Sequence, residues 1–459
     1  MTTRRTRDDL EAAVAAKGAV RALPTSTLVL VHMLGGVSTG FILGAVAVDA
    51  ASVAVAGDPW WAAFLIVAVV IGAFVGSLVD GRVRHDAEPR RWAIVAWMLV
   101  ACSLAAGIVD AIAPVAMLFV GGFGVVAASM HTRLTLDCVP LRKRAIIRWA
   151  QWVATILGVV LAYTVGTFLV SYVTPRHGVV WEPLVVISVV AAVLAAIGAL
   201  VMPPSARVLL MHDDLSGGVH ALLRSGRVTR SRCADEAVRI LIGAALIKQP
   251  MPRIVGHARP SVRVGLMFAF AVGTCAAGAW AIGAPVLLVE AGATLVGAAT
   301  FSLAGFVLAA FALILMTTPN TALAKSLHGN SERVVLLAGA ANVVLMVIAG
   351  LAAIAGPRLV LVTSVATALS IALAAGIVVP AGIGAIRRWV PATRLRRARG
   401  ILYTSQMVVM IGVAAVAGAE VVPVAFIGAA VVHAVGLVMA WRALVSRPHP
   451  ELDLPRRAS

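Results

Sequence analysis

Long stretches without a charge recur along the whole of this chain, and no other feature limits its fold so strongly. Crossing the hydrocarbon core of a bilayer takes roughly 20 apolar residues, and a charge at the centre of such a segment costs several kcal/mol. Charged residues therefore mark where spans end. By that rule about twelve segments emerge. In the first half they fall at approximately 27–48, 61–79, 92–112, 114–130, 149–173 and 184–201. In the second half they fall at approximately 264–289, 293–316, 334–355, 359–383, 401–419 and 422–440. The expected fold class is an all-α polytopic membrane protein, with twelve transmembrane helices in two six-helix bundles. An ordinary soluble domain is excluded, because 61% of the 459 residues are hydrophobic, 13% are charged and the mean hydropathy is +0.99.

The placement of Lys and Arg orients the chain. All but two of the 38 basic residues, Arg176 and Arg358, fall in the N-terminal segment, the even-numbered loops or the C-terminal segment. The positive-inside rule then puts both termini in the cytoplasm of a multi-pass protein of the inner membrane. A missing or extra helix would swap the side of every later loop, so the asymmetry also supports the span count. Trp60, Trp61 and Trp181 fall at outer ends, and Trp92, Trp149, Trp389 and Trp441 at inner ends, as an aromatic belt requires. The formal charge of +18 is thus a matter of topology, and no nucleic-acid partner is implied.

The expected domains are a cytoplasmic N-terminal tail (1–26), a six-helix bundle (27–201), a cytoplasmic central loop (202–263), a second six-helix bundle (264–441) and a cytoplasmic C-terminal tail (442–459). The tail at 1–26 lacks the cleavage site of a signal peptide. Within the central loop, CADEAVRILIGAALIK (233–248) has the pattern of a short amphipathic helix, expected on the membrane surface beside lipid headgroups. The four cysteines have neither a metal spacing nor a place outside, so no disulfide is expected. Glycine clusters such as Gly121, Gly122 and Gly124, or Gly158 with Gly166, read as close helix packing. There is no phosphate-binding loop, metal spacing or nucleophile constellation, so neither a cofactor nor enzyme activity is implied.

Several motifs carry a family resemblance. Residues 76–84, GSLVDGRVR, have the pattern G-x-L-x-D-x-x-x-R between the second and third spans. This resembles the corresponding loop of major facilitator superfamily transporters, although Gly81 and Val83 stand where that loop usually has a base and a glycine. After the fourth span, Asp137, Pro140 and Arg144 resemble E-x-x-P-x-x-x-R of the sugar porter branch, with Asp in place of Glu. In the fifth span Gln151, Gly158, Ala162 and Tyr163 are similar to its Q-x-x-x-x-x-x-G-x-x-x-A-Y. After the sixth, Ser205 and Arg207 stand in register with its P-E-S-P-R-W-L, and VPATRLRRARG is loosely similar to its second-half P-x-x-x-R-x-x-G. The resemblance implies the major facilitator fold and a gate at the inner face. Its candidate residues are Gly76, Asp80, Arg84, Asp137, Pro140, Arg144 and Arg207, whose charges would pair across a closing gate.

Polar side chains inside spans face the bundle interior or a wet cavity. Candidate pathway residues are accordingly His32, Ser38, Thr39, Gln151, Asn342, Gln406 and His433. Each has a competing structural role as an interhelical hydrogen bond. Proton-coupled sugar porters carry an acid in the first span and an Arg in the fourth, whereas GVSTG has Ser38 and the fourth span has no Arg at that site. The seventh span also lacks the glutamines and asparagine that hold a sugar in that branch. The implied function is secondary transport of a small organic solute by alternating access. The missing relay favours facilitated diffusion or coupling through a group such as His32, and the missing donors favour a smaller or more apolar solute. Two rivals stay open: an exporter of amphipathic compounds or lipids, and a non-transporting membrane receptor or assembly partner. The implied partners are the solute and membrane lipids.

Overall fold

A computed structural model describes residues 2–83, 88–109, 112–139, 144–172, 181–248, 259–275, 277–317, 322–390, 395–419 and 421–446. The first half consists of α1 (Thr2–Ala16), α2 (Thr25–Val55), α3 (Pro59–Val83), α4 (Pro89–Ala106), α5 (Ala113–Cys138), α6 (Arg144–Tyr172) and α7 (Trp181–Val201). Three connecting helices follow, α8 (Ala206–Met211), α9 (Leu215–Arg224) and α10 (Cys233–Lys248). The second half begins with α11 (Arg259–Gly273), α12 (Ala277–Glu290), α13 (Leu295–Thr317) and α14 (Ala322–Ile354). It ends with α15 (Val360–Leu373), α16 (Val379–Trp389), α17 (Leu395–Gly418) and α18 (Val422–Val445).

Helix occupies every one of the twelve predicted segments, and among the described residues nine helical stretches are individually long and apolar enough to cross a membrane. The other three have local reasons to fall short. α4 opens on Pro89-Arg90-Arg91, the first turn of α17 is arginine-rich, and the seventh segment is broken between α11 and α12. In hydrocarbon each backbone polar group needs an internal partner, which is why an uncharged segment of this length folds as helix.

Three irregularities sit in the second half. Besides the break in the seventh segment, α14 is kinked at Asn330 (φ −139°, ψ 44°), and α15 passes into α16 through a π turn at Ala374–Val378. Pro380 accounts for the last of these, since it has no N–H to give the carbonyl four residues back and the hydrogen-bond register widens ahead of it.

Glycine sets the closest approaches between helices. Where α2 crosses α6, a Cβ on Gly40 would lie 1.8 Å from the carbonyl oxygen of Thr155, and one on Gly158 would lie 2.2 Å from that of Val37. Where α3 crosses α5, a Cβ on Gly72 would lie 1.9 Å from the Leu118 carbonyl oxygen, and one on Gly76 would lie 2.2 Å from that of Gly122. Backbone-to-backbone contact of this kind supplies the van der Waals packing that helices in a membrane depend on, since burial from lipid offers no hydrophobic gain. Gly124, by contrast, has nothing within 4 Å of its Cβ position.

The N-terminal segment and the central loop fold together. Leu10 of α1, Leu210 of α8, Leu222 of α9, and Cys233 and Ala237 of α10 form a small buried core of their own. Arg230 donates to the carbonyl oxygens of Val14, Ala15 and Lys17, satisfying the end of α1. Arg7 pairs with Asp235 at 3.2 Å. The helix read from residues 233–248 is present, with its apolar side covered by α1, α8 and α9. All four cysteines are free.

Gly40→Ala drives a methyl group into the α6 backbone and is expected to destabilise the protein by about 1–3 kcal/mol or more. Gly124→Ala is expected to leave the melting temperature unchanged or slightly raised, because the site is open and helical. Melting curves of the two variants in detergent check both outcomes.

Candidate functional site

The two halves meet chiefly through three helix pairs, α2 with α12, α3 with α17 and α6 with α13. At the α6–α13 pair the rings of Tyr163 and Phe306 stack, with centroids 6.0 Å apart and planes at 21°. Both side chains are buried. An aromatic stack thus forms part of the joint between the halves.

Charged groups gather instead at the ends of the helices, within each half. In the first half Glu88 caps α4, accepting from the Arg90 N–H at 3.3 Å. It also accepts from the Ser205 N–H at 3.0 Å. Ser205 Oγ in turn donates to Asp137 Oδ2 at 2.7 Å. Arg227, from the central loop, donates to the Asp137 carbonyl oxygen at 2.9 Å and pairs with Glu236. This one cluster ties the start of α4, the end of α5, the start of α8 and helix α10.

Of the gate residues predicted from the resemblance, Asp137 lies in this cluster and Arg207 is half-buried in the first turn of α8. Arg144 is half-buried at the start of α6 and is engaged. Asp80 is buried near the end of α3, with Oδ1 making no hydrogen bond among the described residues. Gly76 belongs to the α3–α5 crossing. Arg84 and Pro140 lie outside the described residues.

The second half has a comparable tie that the sequence reading did not find. Glu332, buried just past the kink in α14, accepts from Arg388 Nη1 at 3.1 and 3.3 Å and from Trp389 Nε1 at 2.8 Å. Ser331 Oγ adds a contact at 3.2 Å. The signal available was the pair Glu332 and Arg388-Trp389, an acid just before the ninth predicted span and a base just after the tenth.

The predicted pathway residues mostly bind backbone or neighbouring helices. His32 Nε2 lies 2.7 Å from the Ile147 carbonyl oxygen, to which only a protonated nitrogen can donate, and Nδ1 lies 2.7 Å from Thr135 Oγ1. Thr135 Oγ1 is also placed to donate to the His131 and Thr132 carbonyl oxygens, at 3.1 and 3.0 Å, so its one proton serves either the ring or the backbone. His131, absent from the predicted set, places Nε2 2.8 Å from the Val31 carbonyl oxygen and stands edge-on to Trp97. Gly35 makes room for it, since a Cβ there would lie 2.5 Å from the imidazole.

Ser38 donates to the Ala191 carbonyl oxygen at 2.8 Å and Thr39 to that of Gly35 at 2.8 Å. Gln151 Nε2 donates to Thr132 Oγ1. His433 is buried with Nδ1 3.4 Å from Thr274 Oγ1. Asn342 donates to the Cys275 carbonyl oxygen at 3.2 Å, at the break in the seventh segment, and accepts from Ser370 Oγ at 2.6 Å. Gln406 alone of the seven makes no hydrogen bond among the described residues. It is half-buried on the side of α17 turned away from the exposed Thr404 and Val408.

Burial pushes the Glu88 carboxyl above its ordinary value of 4.5, and nearby Asp137 adds to the shift against the opposing backbone donors. The folded protein therefore holds this proton more tightly than the unfolded chain. Its contribution to stability is greatest at low pH and declines as pH rises through the raised value. Glu88→Gln keeps an acceptor for Ser205 and removes the titration. Plots of melting temperature against pH should show a smaller fall above about pH 4.5 in the variant than in the parent.

No protein-family model matches the chain, and no curated protein matches it in sequence. Solved structures do match. The xylose transporter XylE from E. coli, in a partially occluded inward-open conformation, aligns over 91% of this chain and 97% of its own, with a TM-score of 0.68 and 13% identity. An auto-inhibited POT family peptide transporter aligns over 94% and 99%, with a TM-score of 0.65 and 12% identity. The human organic anion transporter MFSD10 aligns over 91% and 100%, with a TM-score of 0.53 and 15% identity. Near-complete coverage in both directions, with helix in all twelve predicted segments, makes this fold that of the major facilitator transporters.

Proposed function

We propose that this protein is a secondary transporter that carries a small, sparsely polar organic solute across the cytoplasmic membrane by rocking its two halves about a central site. The observation that carries this reading is the division of labour among contacts. Among the described residues, the ties through Asp137 and through Glu332 join helices of one half, whereas Tyr163 and Phe306 stack across the joint. Two internally tied bodies with a separable joint are what alternating access needs.

The charge asymmetry orients the molecule with both termini, the α1/α8–α10 unit and the Glu88–Asp137 and Glu332–Arg388 clusters on the cytoplasmic side. Asp137, Ser205 and Arg227 then sit where an inner gate moves, with Asp80, Arg84, Pro140, Arg144 and Arg207 beside them along the chain. Resemblance to sugar porters and the sugar transporter among the solved neighbours place sugars among the solutes to try. Ser38, Thr39, Gln151 and Asn342 spend their hydroxyls and amides on protein partners, which favours a solute less polar than a sugar, proposed to meet Gln406. Both ring nitrogens of His32 are engaged, by Thr135 and Ile147, which supports an uncoupled mode as the proposal.

Counterflow into proteoliposomes across a panel of sugars, polyols, short organic acids and apolar amines tests the proposal. At least one class is expected to exchange, with no accumulation driven by an imposed pH gradient. Asp137→Asn is expected to slow exchange about tenfold, the equivalent of one charge-assisted hydrogen bond. A purified, monodisperse protein that moves no member of the panel would sink the transport reading, and accumulation on the pH gradient would sink the uncoupled one.

A further inference from the structure

On the lipid side of the second half, a groove of 510 Å³ lies between α17 and α18, floored by α11. Its walls are Gly400, Ile401, Thr404, Ser405 and Val408 of α17 and Val432 of α18, and its floor is Phe270 and Thr274. On α17 these residues recur at the spacing of one helix face, and that face is open, with Val408 58% and Val432 39% exposed. α17 also packs on α3 of the first half, while Thr404 and Val408 on the groove face stay exposed.

The hydroxyls of the groove do not make it polar. Ser405 Oγ donates to the Ile401 carbonyl oxygen at 2.8 Å and Thr274 Oγ1 to that of Ala271 at 3.0 Å, which leaves the exposed Thr404 as the one lining hydroxyl without a hydrogen bond among the described residues. What remains for an occupant is a hydrocarbon channel. From Gly400 to Val408 it runs about 12 Å along the helix, close to the depth of one leaflet's hydrocarbon, about 15 Å.

All three helices bring arginine to the same end of this channel. Arg263 lies seven residues before Phe270, on the same face of α11 and exposed. Arg442, also exposed, lies ten residues beyond Val432, about three turns along one face of α18. The first turn of α17 carries Arg396, Arg397 and Arg399.

We propose that this groove is a binding site for an anionic phospholipid, with an acyl chain along α17 and the headgroup at Arg263 and Arg442. A zwitterionic lipid offers the same chain without the net charge that the arginines attract. The inference rests on the orientation proposed above only for the leaflet, which is then the cytoplasmic one.

Native mass spectrometry of the full chain in detergent, titrated with phosphatidylglycerol or phosphatidylcholine of identical chains, tests the site. Phosphatidylglycerol is expected to bind at least tenfold more tightly, and to raise the melting temperature where phosphatidylcholine does not. Val408→Trp fills the groove and is expected to weaken phosphatidylglycerol binding at least fivefold. Val344→Trp, on an exposed position of α14, is expected to leave it unchanged. Arg263→Gln and Arg442→Gln are each expected to cost about fivefold, the effect of one basic side chain near an anionic lipid. Equal binding of the two lipids, or parental affinity in Val408→Trp, overturns the proposal. Neither readout involves solute movement, so a failure here is separate from failure of the transport assay.

Discussion

In hydrocarbon a peptide group without a partner costs several kcal/mol, and every notable feature of this fold is a response to that cost. Uninterrupted helix meets it within a span. Where helix is interrupted, another side chain has to intervene. The carbonyl of Cys275, left at the end of α11, is taken up by Asn342 of α14, which is itself held by Ser370 of α15. One amide thereby ties the seventh, ninth and tenth segments at a point where the seventh is free to bend. The first half has no comparable break among its described spans, and its carbonyl-directed side chains, Ser38 and His32, act instead as struts between intact helices.

The same cost explains where many polar side chains turn. Thr39, Thr274 and Ser405 return their hydroxyl protons to their own helices, and His32 and His131 place Nε2 on neighbouring carbonyls, while the hydroxyls of Thr167, Ser188 and Ser302 are buried with no hydrogen bond among the described residues. The interior is consequently less polar in effect than a count of its Ser, Thr and His residues indicates.

Much of the architecture was legible because the bilayer makes the code simple: apolar length gives spans, and basic loops separate them. The break at Cys275 was not legible. The sequence there, GTCAAG, contains no proline and no charge, and the compensating residue lies far along the chain at Asn342. Residues 233–248 were readable as a helix but not as part of a core, because the partner that covers them, α1, was read as a polar tail although Leu10 anchors it. Glu332 escaped notice for a related reason. It stands two positions after Asn330, where the kink sets α14 turning, so its pairing with Arg388 depends on a bend that periodicity does not announce. Asp137, in contrast, was found from a motif, and the motif works because the acid, Ser205 and the helix ends they join are fixed by covalent spacing from the spans.

The charge clusters lie within halves, and this bears on how a gate at that face would work. A tie between halves must break in every cycle, and its strength adds directly to the barrier for opening. A tie within one half survives the cycle, keeps that half rigid, and lets a small rotation at the centre become a larger displacement at its end. Glu88, Asp137, Ser205 and Arg227 bind the ends of α4 and α5 to α8 and α10, and Glu332, Arg388 and Trp389 do the same for α14 and α16. Across the joint Tyr163 stacks on Phe306, and dispersion contacts of this kind are individually weak and re-form in any register that packs. Strong bonds inside and weak ones between the halves are the arrangement by which two bodies move without either one deforming.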